Sequence, residues 1–308
     1  MLDTRKCIVW GIGDDYEKIL NQLLFEIHKG NITIEALVCR KQDQYCSSKD
    51  GFPVITKEEI HEITFDYLII TSLRYFKELK NEAIALGVPE NQIIDGQKLL
   101  LPFFDFQRYS RLIENPVTIL ADDCWSGYAY HRLGLPFSTP LINIYWNPDE
   151  YAKFILDPLF YLSTELTMVT EGDLRTGVSP VGLLGDADRN VKLQFVHNAD
   201  FAEARHQWDK RMARINPDNL FIKMGLTVTE KNKHLYLEAF EKVPYHKILF
   251  YFGAEEVEGA FKTERFIWRQ KSQARVDTFN YNDYLRGNYW WDLDLLKLLT
   301  GDKNYSRY

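Results

Sequence analysis

The stretch from Lys6 to Cys39 constrains the fold more than any other. An apolar run, Lys6 to Trp10 (KCIVW), meets Gly11-Ile12-Gly13-Asp14-Asp15-Tyr16. Ile19, Leu20, Leu23, Leu24 and Ile27 then recur at helical spacing, Gly30-Asn31 ends that helix, and Ile34 to Cys39 forms a second apolar run. Strand, glycine turn, helix and strand in that order are a βαβ unit, whose strands lie parallel. The order continues with Gly51-Phe52-Pro53-Val54-Ile55, a capping box at Thr56 and Glu59, a buried strand Asp66 to Thr71, a helix from about Leu73 to Leu86 closed by Gly87, and a strand at Asn91 to Ile94. The fold class expected is α/β.

The GxG turn, the "G-x-PVI" segment and the "DYLII-T-S" strand resemble the small Rossmann-like modules attached to bacterial sugar-modifying and polysaccharide-assembly proteins, over residues 5 to 100. Gly11 and Gly13 are the candidate cofactor-binding positions: one makes the turn and the other lets backbone approach a pyrophosphate. The pattern departs from the dinucleotide fingerprint in two places. Tyr16 stands where the third glycine belongs, and Cys39-Arg40-Lys41 stands where an acidic residue would hold a ribose. Asp14 and Asp15 can cap the helix and would repel a phosphate there. Two readings follow, a Rossmann-like scaffold without cofactor or an anionic nucleotide met by Arg40 and Lys41. The residues name no cofactor.

A chain of 308 residues suggests two domains. We expect a Rossmann-like domain over 1–102 and a larger α/β domain over 103–308, joined through Leu99 to Arg111, an aromatic-rich crossing segment. The formal net charge of −7, with no Lys/Arg block, argues against nucleic acid. No window offers the ~18 apolar residues that span a bilayer, and the start is no secretory leader, so a cytoplasmic protein is expected. Cys7, Cys39, Cys46 and Cys124 have no CxxC spacing, and neither disulfides nor a structural metal is expected. Seven Trp and 18 Tyr suit a cleft for amphipathic ligands such as sugars, and equally a core.

The candidate site lies in Val117 to Gly134 (VTILADDCWSGYAYHRLG), where an apolar strand stops at Asp122, Asp123 and Cys124 and a helix follows. Open α/β sheets place ligands at such junctions. On that helix Cys124, Tyr128 and His131 share one face. A thiol at a helix N-terminus near an imidazole can act as a nucleophile, whereas the adjacent carboxylates work against the thiolate and a small Cys also suits tight packing. Asp122 and Asp123 can hold a cation with a sugar diphosphate, or cap the helix.

Further along, Leu141 to Trp146 reads as a strand, Asp149 as the cap of a helix that Pro158 breaks, and residues 171 to 190 as a loop or hairpin. Val191 to Val196 is a strand delivering His197, which faces the same cleft or is merely structural. Asp200 and Glu203 cap a helix carrying Trp208, Arg211 and Arg214, the two arginines being a candidate anion clamp. Strands at Leu220 to Met224 and Lys247 to Phe252 flank a helix from Thr229 to Phe240. The tail, Tyr284 to Leu299, reads as a dimer-forming or domain-clasping helix.

The segments "DDCWSGYAYHRLGLPFSTPLIN", "FVHNADFAEARHQWDKRMARIN" and "DNLFIKM" together resemble an uncharacterised bacterial family loosely described as exopolysaccharide biosynthesis proteins, over residues 115 to 255. Its junction commonly reads Asn-Asn-Cys-Trp-Gly-Gly. Asp122, Asp123 and Ser126 depart from that pattern, while Cys124, Trp125, Gly127, His131, His197, Trp208, Arg211 and Arg214 match it. The resemblance implies a place in surface-polysaccharide assembly; joined to the Asp122 to His131 junction, it leads us to expect a transferase that moves a glycosyl or acyl group onto a carbohydrate. Cys124, His131 and His197 would be catalytic. Asp122, Asp123, Trp125, Tyr128, Trp208, Arg211 and Arg214 would contact the carbohydrate or its activated donor. A non-catalytic carbohydrate or nucleotide-sugar binding module is the alternative, and a nicotinamide-dependent oxidoreductase the third.

Overall fold

The computed structural model describes residues 4–39, 47–169, 179–226, 230–252, 257–262, 287 and 289–306. Two compact units divide at Glu114 and Asn115.

Unit 1 is built on β1 (Arg5–Trp10), α1 (Asp14–His28), β2 (Ile32–Val38), β3 (Ser48–Lys49), β4 (Phe52–Ile55), β5 (Tyr67–Ile70), α2 (Phe76–Ala85), β6 (Ile93–Asp95) and α3 (Phe106–Glu114). The sheet order is β3-β4-β2-β1-β5-β6, and every pairing except β3 with β4 is parallel. Ile8, Val9, Leu68, Ile69 and Ile70 are fully buried, as central parallel strands covered on both faces require. The Thr56–Glu59 capping box forms as expected, on a 3-10 turn at Lys57–Glu62. Asp15 behaves otherwise. Its carboxylate binds Lys18 and accepts from the Leu73 backbone N–H at 3.0 Å, and no side chain caps α1.

The segment expected to cross between units ends instead in α3, which belongs to unit 1. The buried Glu26 carboxylate accepts from Asn31 Nδ2 at 2.6 Å and from the Phe106 N–H at 3.1 Å, pinning the start of α3, while Tyr67 donates to Glu114 at 2.8 Å near its end. The compact units therefore part at 114/115 rather than at 102/103.

Unit 2 comprises β7 (Thr118–Ala121), α4 (Trp125–Leu133), α5 (Pro148–Leu156), α6 (Pro158–Ser163), β8 (Thr167–Val169), β9 (Val181–Gly185), β10 (Asn190–Gln194), α7 (Phe201–Met212), β11 (Leu220–Leu226), α8 (Glu230–Lys242), β12 (His246–Tyr251), β13 (Ala260–Phe261) and α9 (Leu295–Leu299). A parallel sheet runs β13-β12-β11-β7, beside an antiparallel sheet β10-β9-β8. The main core of this unit gathers Leu120, Ile222 and Leu249 from the parallel sheet, Phe154 and Ile155 from α5, and Trp208 from α7.

Several expectations change here. Leu141 to Trp146 is not a strand: Asn143 adopts φ 65°, which turns the chain, and only Tyr145 pairs, in a single bridge with Gln194. Asn147 rather than Asp149 precedes α5, whose first residue is Pro148. Pro158 does break the helix, and α6 begins at it. Gly182 and Gly185 lie in β9 of a hairpin with β10, while 170–178 falls outside the described residues. The Asp200 cap is realised, accepting from the Glu203 N–H at 2.8 Å. The tail folds back within its own unit. Leu295, Leu296, Leu298 and Leu299 are buried, so the apolar face read as a dimer helix is already covered.

Candidate functional site

β7 is buried along its whole length and delivers Asp122, Asp123 and Cys124 to the C-terminal edge of the parallel sheet, where α4 begins. The entry of α4 is held from below. Tyr130 donates to the Val117 carbonyl at 2.6 Å and accepts from the Ile119 N–H at 3.0 Å, and Gly134 ends the helix at φ 68°. The Tyr151 hydroxyl lies 2.8 and 2.9 Å from the carbonyls of Leu120 and Lys223, tying β7 to β11.

The centre of the junction is Lys223 on β11, with an exposure of 0%. Its Nζ lies 2.8 Å from Asp122 Oδ1 and 2.7 Å from Asp123 Oδ2. Asp122 Oδ2 accepts from the Gly225 N–H at 2.8 Å, and Asp123 Oδ1 from the Trp125 N–H at 2.9 Å. All four carboxylate oxygens are therefore engaged by the protein. The pair acts as counter-ion and helix-entry tether, and not as an open cation site. Gly225 leaves room for the cluster, since a Cβ there would stand 3.1 Å from Lys223 Nζ, tighter than ordinary contact.

Burial pushes Asp122 up to about 6, a shift that Lys223 opposes and Asp123 reinforces. Lys223 is itself held above the ordinary lysine range by the two carboxylates despite its burial. A carboxyl that binds its proton more tightly when folded contributes stability that is present below the unfolded value, about 4, and lost as pH rises through about 6. Lys223 stays charged across that window. Urea unfolding at steps from pH 4 to 7 is therefore expected to show wild type losing stability relative to Asp122→Asn as pH rises. A constant difference would mean that Asp122 does not titrate there.

In front of this cluster lies a cavity of about 770 Å³, within the ~300–1,000 Å³ range of small-molecule sites. Cys124 faces it from the N-cap of α4, Tyr128 and His131 from α4 itself, His197 from the turn after β10, and Arg211 from α7, with Asp123 also in the lining. Six of the expected site residues thus converge from three elements of unit 2. The others stand elsewhere. Asp122 is buried behind Asp123 and does not line the cavity. Trp125 is fully buried, stacks on Phe221 and Trp290, and donates its Nε1–H to Tyr289. Trp208 is buried edge-on to Phe195 in the core. Arg214 is exposed and outside the lining. Arg211 therefore lacks the second arginine of the expected clamp.

Two contributors went unread in the sequence. Lys223 sits in an apolar strand, where only its improbability as a buried residue marks it. The segment Ile142 to Tyr145 makes one cavity wall, because the turn at Asn143 folds it over α4.

Unit 1 has a separate cavity of about 610 Å³ at the C-terminal ends of β1, β2 and β5, bounded by Gly11, Gly13, Asp14, Thr71 and Arg74. A Cβ on Gly11, whose φ is 99°, would meet Thr71 Oγ1 at 2.6 Å, so the turn requires glycine. Tyr16 fills the third-glycine position, fully buried and donating to Asp50 at 3.0 Å. Arg40 and Lys41 lie outside the described residues.

The molecule is thus a mixed α/β protein with a ligand-sized cavity at the carboxyl edge of a parallel sheet. Residues 95–300 match the family described as Domain of unknown function (DUF1919), and the chain belongs to that family. Residues 3–94 match the family described as C2185-like, N-terminal. A relative from Haemophilus influenzae, described as an uncharacterized protein, is 29% identical over 192 residues, covering 61% of this chain and 85% of its own length.

Among the described residues no helix is long and apolar enough to cross a membrane.

Proposed function

We propose that the protein is a cytoplasmic transferase of surface-polysaccharide assembly, moving a glycosyl or acyl group onto a carbohydrate in the unit 2 cavity. The observation that carries this reading is the convergence of Cys124, His131 and His197 on one cavity. The junction's resemblance to proteins described as exopolysaccharide biosynthetic supplies the carbohydrate. In this reading a histidine takes the Cys124 thiol proton as sulfur attacks the donor carbon, and the departing group receives that proton. An acceptor hydroxyl then attacks the sulfur-bound carbon, its proton passes to the histidine, and the thiol is restored. Unit 1, with parallel strands flanking a glycine turn, is read as a Rossmann-like module.

A thermal-shift panel of nucleotide sugars, acyl-CoA compounds and NAD(P)H tests the donor. A ligand held at ~100 times its Kd stabilises by ~2.7 kcal/mol. Turnover of the donor so found is expected to vanish in Cys124→Ala and to fall ~10²–10⁴-fold in the alanine variant of whichever histidine is the base. Wild-type turnover in Cys124→Ala, His131→Ala and His197→Ala would overturn the assignment.

A non-catalytic carbohydrate-binding module is the second reading. It is favoured by the engagement of every Asp122 and Asp123 oxygen, which leaves no spare carboxylate for acid–base work. Binding without turnover across the panel would select it. A nicotinamide oxidoreductase ranks third, since Tyr16 occupies the third-glycine position, and failure to bind NAD(P)H would remove it.

A further inference from the structure

The cations of unit 2 are satisfied unequally. Lys223 has two carboxylates, Arg205 has Glu165 and Asp209, and Arg189 has Asp157. Arg211 has no carboxylate among the described residues. It is half-buried, it donates Nη1 to the Ile142 carbonyl at 3.0 Å, and the like-charged Arg214 acts on it. A guanidinium carries five donors in a planar fork suited to an oxyanion. Lining the cavity, Arg211 presents the remainder of that fork to whatever enters.

Four polar side chains of the lining stand near it uncommitted. The side chains of Tyr128, His131, Asn143 and His197 have no hydrogen-bond partner among the described residues, and Tyr128 is 43% exposed, offering an aromatic surface. The one carboxylate in the lining, Asp123, is occupied by Lys223 and by the Trp125 N–H, so it does not compete for the arginine. Side-chain donors and acceptors around one guanidinium without a carboxylate match a polyhydroxylated ring bearing a single oxyanion.

We propose that the unit 2 cavity is a receptor for an anionic sugar, its carboxylate or phosphate seated on Arg211 and its hydroxyls on Tyr128, Asn143 and the two histidines. This rests on the carbohydrate reading above and names the substrate class within it.

Calorimetric titration with glucuronate, glucose 6-phosphate, glucose and inorganic phosphate tests it on wild type, Arg211→Gln and Arg211→Lys. The anionic sugars are expected to bind at least ~10-fold tighter than glucose, and the tighter of the two identifies the oxyanion. Arg211→Gln should reduce that preference to within ~2-fold while glucose binding persists, and Arg211→Lys should keep part of it, because charge survives without the fork. Since Arg211 also holds the Ile142 loop, a salt titration of wild type provides a test independent of any variant: added salt should weaken the anionic sugars and leave glucose unchanged.

Equal binding of glucose and the anionic sugars overturns this inference and leaves the carbohydrate reading standing. Inorganic phosphate binding as tightly as glucose 6-phosphate removes the sugar from it. Absence of binding by every probe overturns both.

Discussion

Lys223→Met is expected to destabilise the protein by about 3–5 kcal/mol at neutral pH, the effect of removing one partner of a buried ion pair and leaving its counter-charge uncompensated. Two carboxylates would be stranded, with only the Gly225 and Trp125 backbone N–H groups still donating to them. Urea unfolding followed by tryptophan fluorescence reads this well, because Trp125, Trp146, Trp208 and Trp290 are all buried in unit 2. Two controls separate lost charge from lost volume. The penalty should shrink as pH falls toward about 6, because Asp122, without the Lys223 charge that opposes its protonation, takes up a proton above that value. Adding Asp122→Asn and Asp123→Asn to Lys223→Met should recover most of the stability, since an uncharged cluster needs no counter-ion. A loss below ~1 kcal/mol, or one that ignores pH, would show that Lys223 is not the electrostatic centre of the junction.

Trp125→Ala is expected to cost about 3–5 kcal/mol, the range for emptying a large aromatic from a packed interior. The indole is fully buried, with Phe250 meeting it edge-on in addition to the stacked Phe221 and Trp290. Its hydrogen bond to Tyr289 ties the tail to α4. Trp125→Phe keeps most of the apolar volume and loses that bond, so a smaller cost of ~1–3 kcal/mol is expected, set by the Tyr289 oxygen left without its donor. Binding in the cavity should be unaffected in Trp125→Phe, because the ring faces the core and not the ligand. Weakened ligand affinity with unchanged stability would return Trp125 to the contact role that its place beside Cys124 suggests.

Much of the local order was legible in the residues. β1, α1 and β2 follow from apolar period and glycine placement, the box at Thr56 and the cap at Asp200 from side-chain spacing, and the break at Pro158 from the missing N–H. The face of α4 that carries Cys124, Tyr128 and His131 follows from helical geometry, and all three residues line the cavity. Leu141 to Trp146 misled because its apolar residues suit a strand while Asn143 adopts a left-handed turn. Trp125 and Trp208 misled because an aromatic beside a polar cluster reads alike whether it faces a ligand or a core.

Sequence alone determined the α/β class, the junction at Asp122 to Cys124 and the helix face beyond it, because these depend on periodicity and on backbone groups within a few residues of one another. Only the tertiary structure decided that Lys223 bridges Asp122 and Asp123 from a strand about a hundred residues away. It also decided that His197 and Arg211 reach the same cavity as Cys124, and that Arg214 does not. Such pairings are set by strand order and by which side of a packed element faces inward, and no local spacing encodes either.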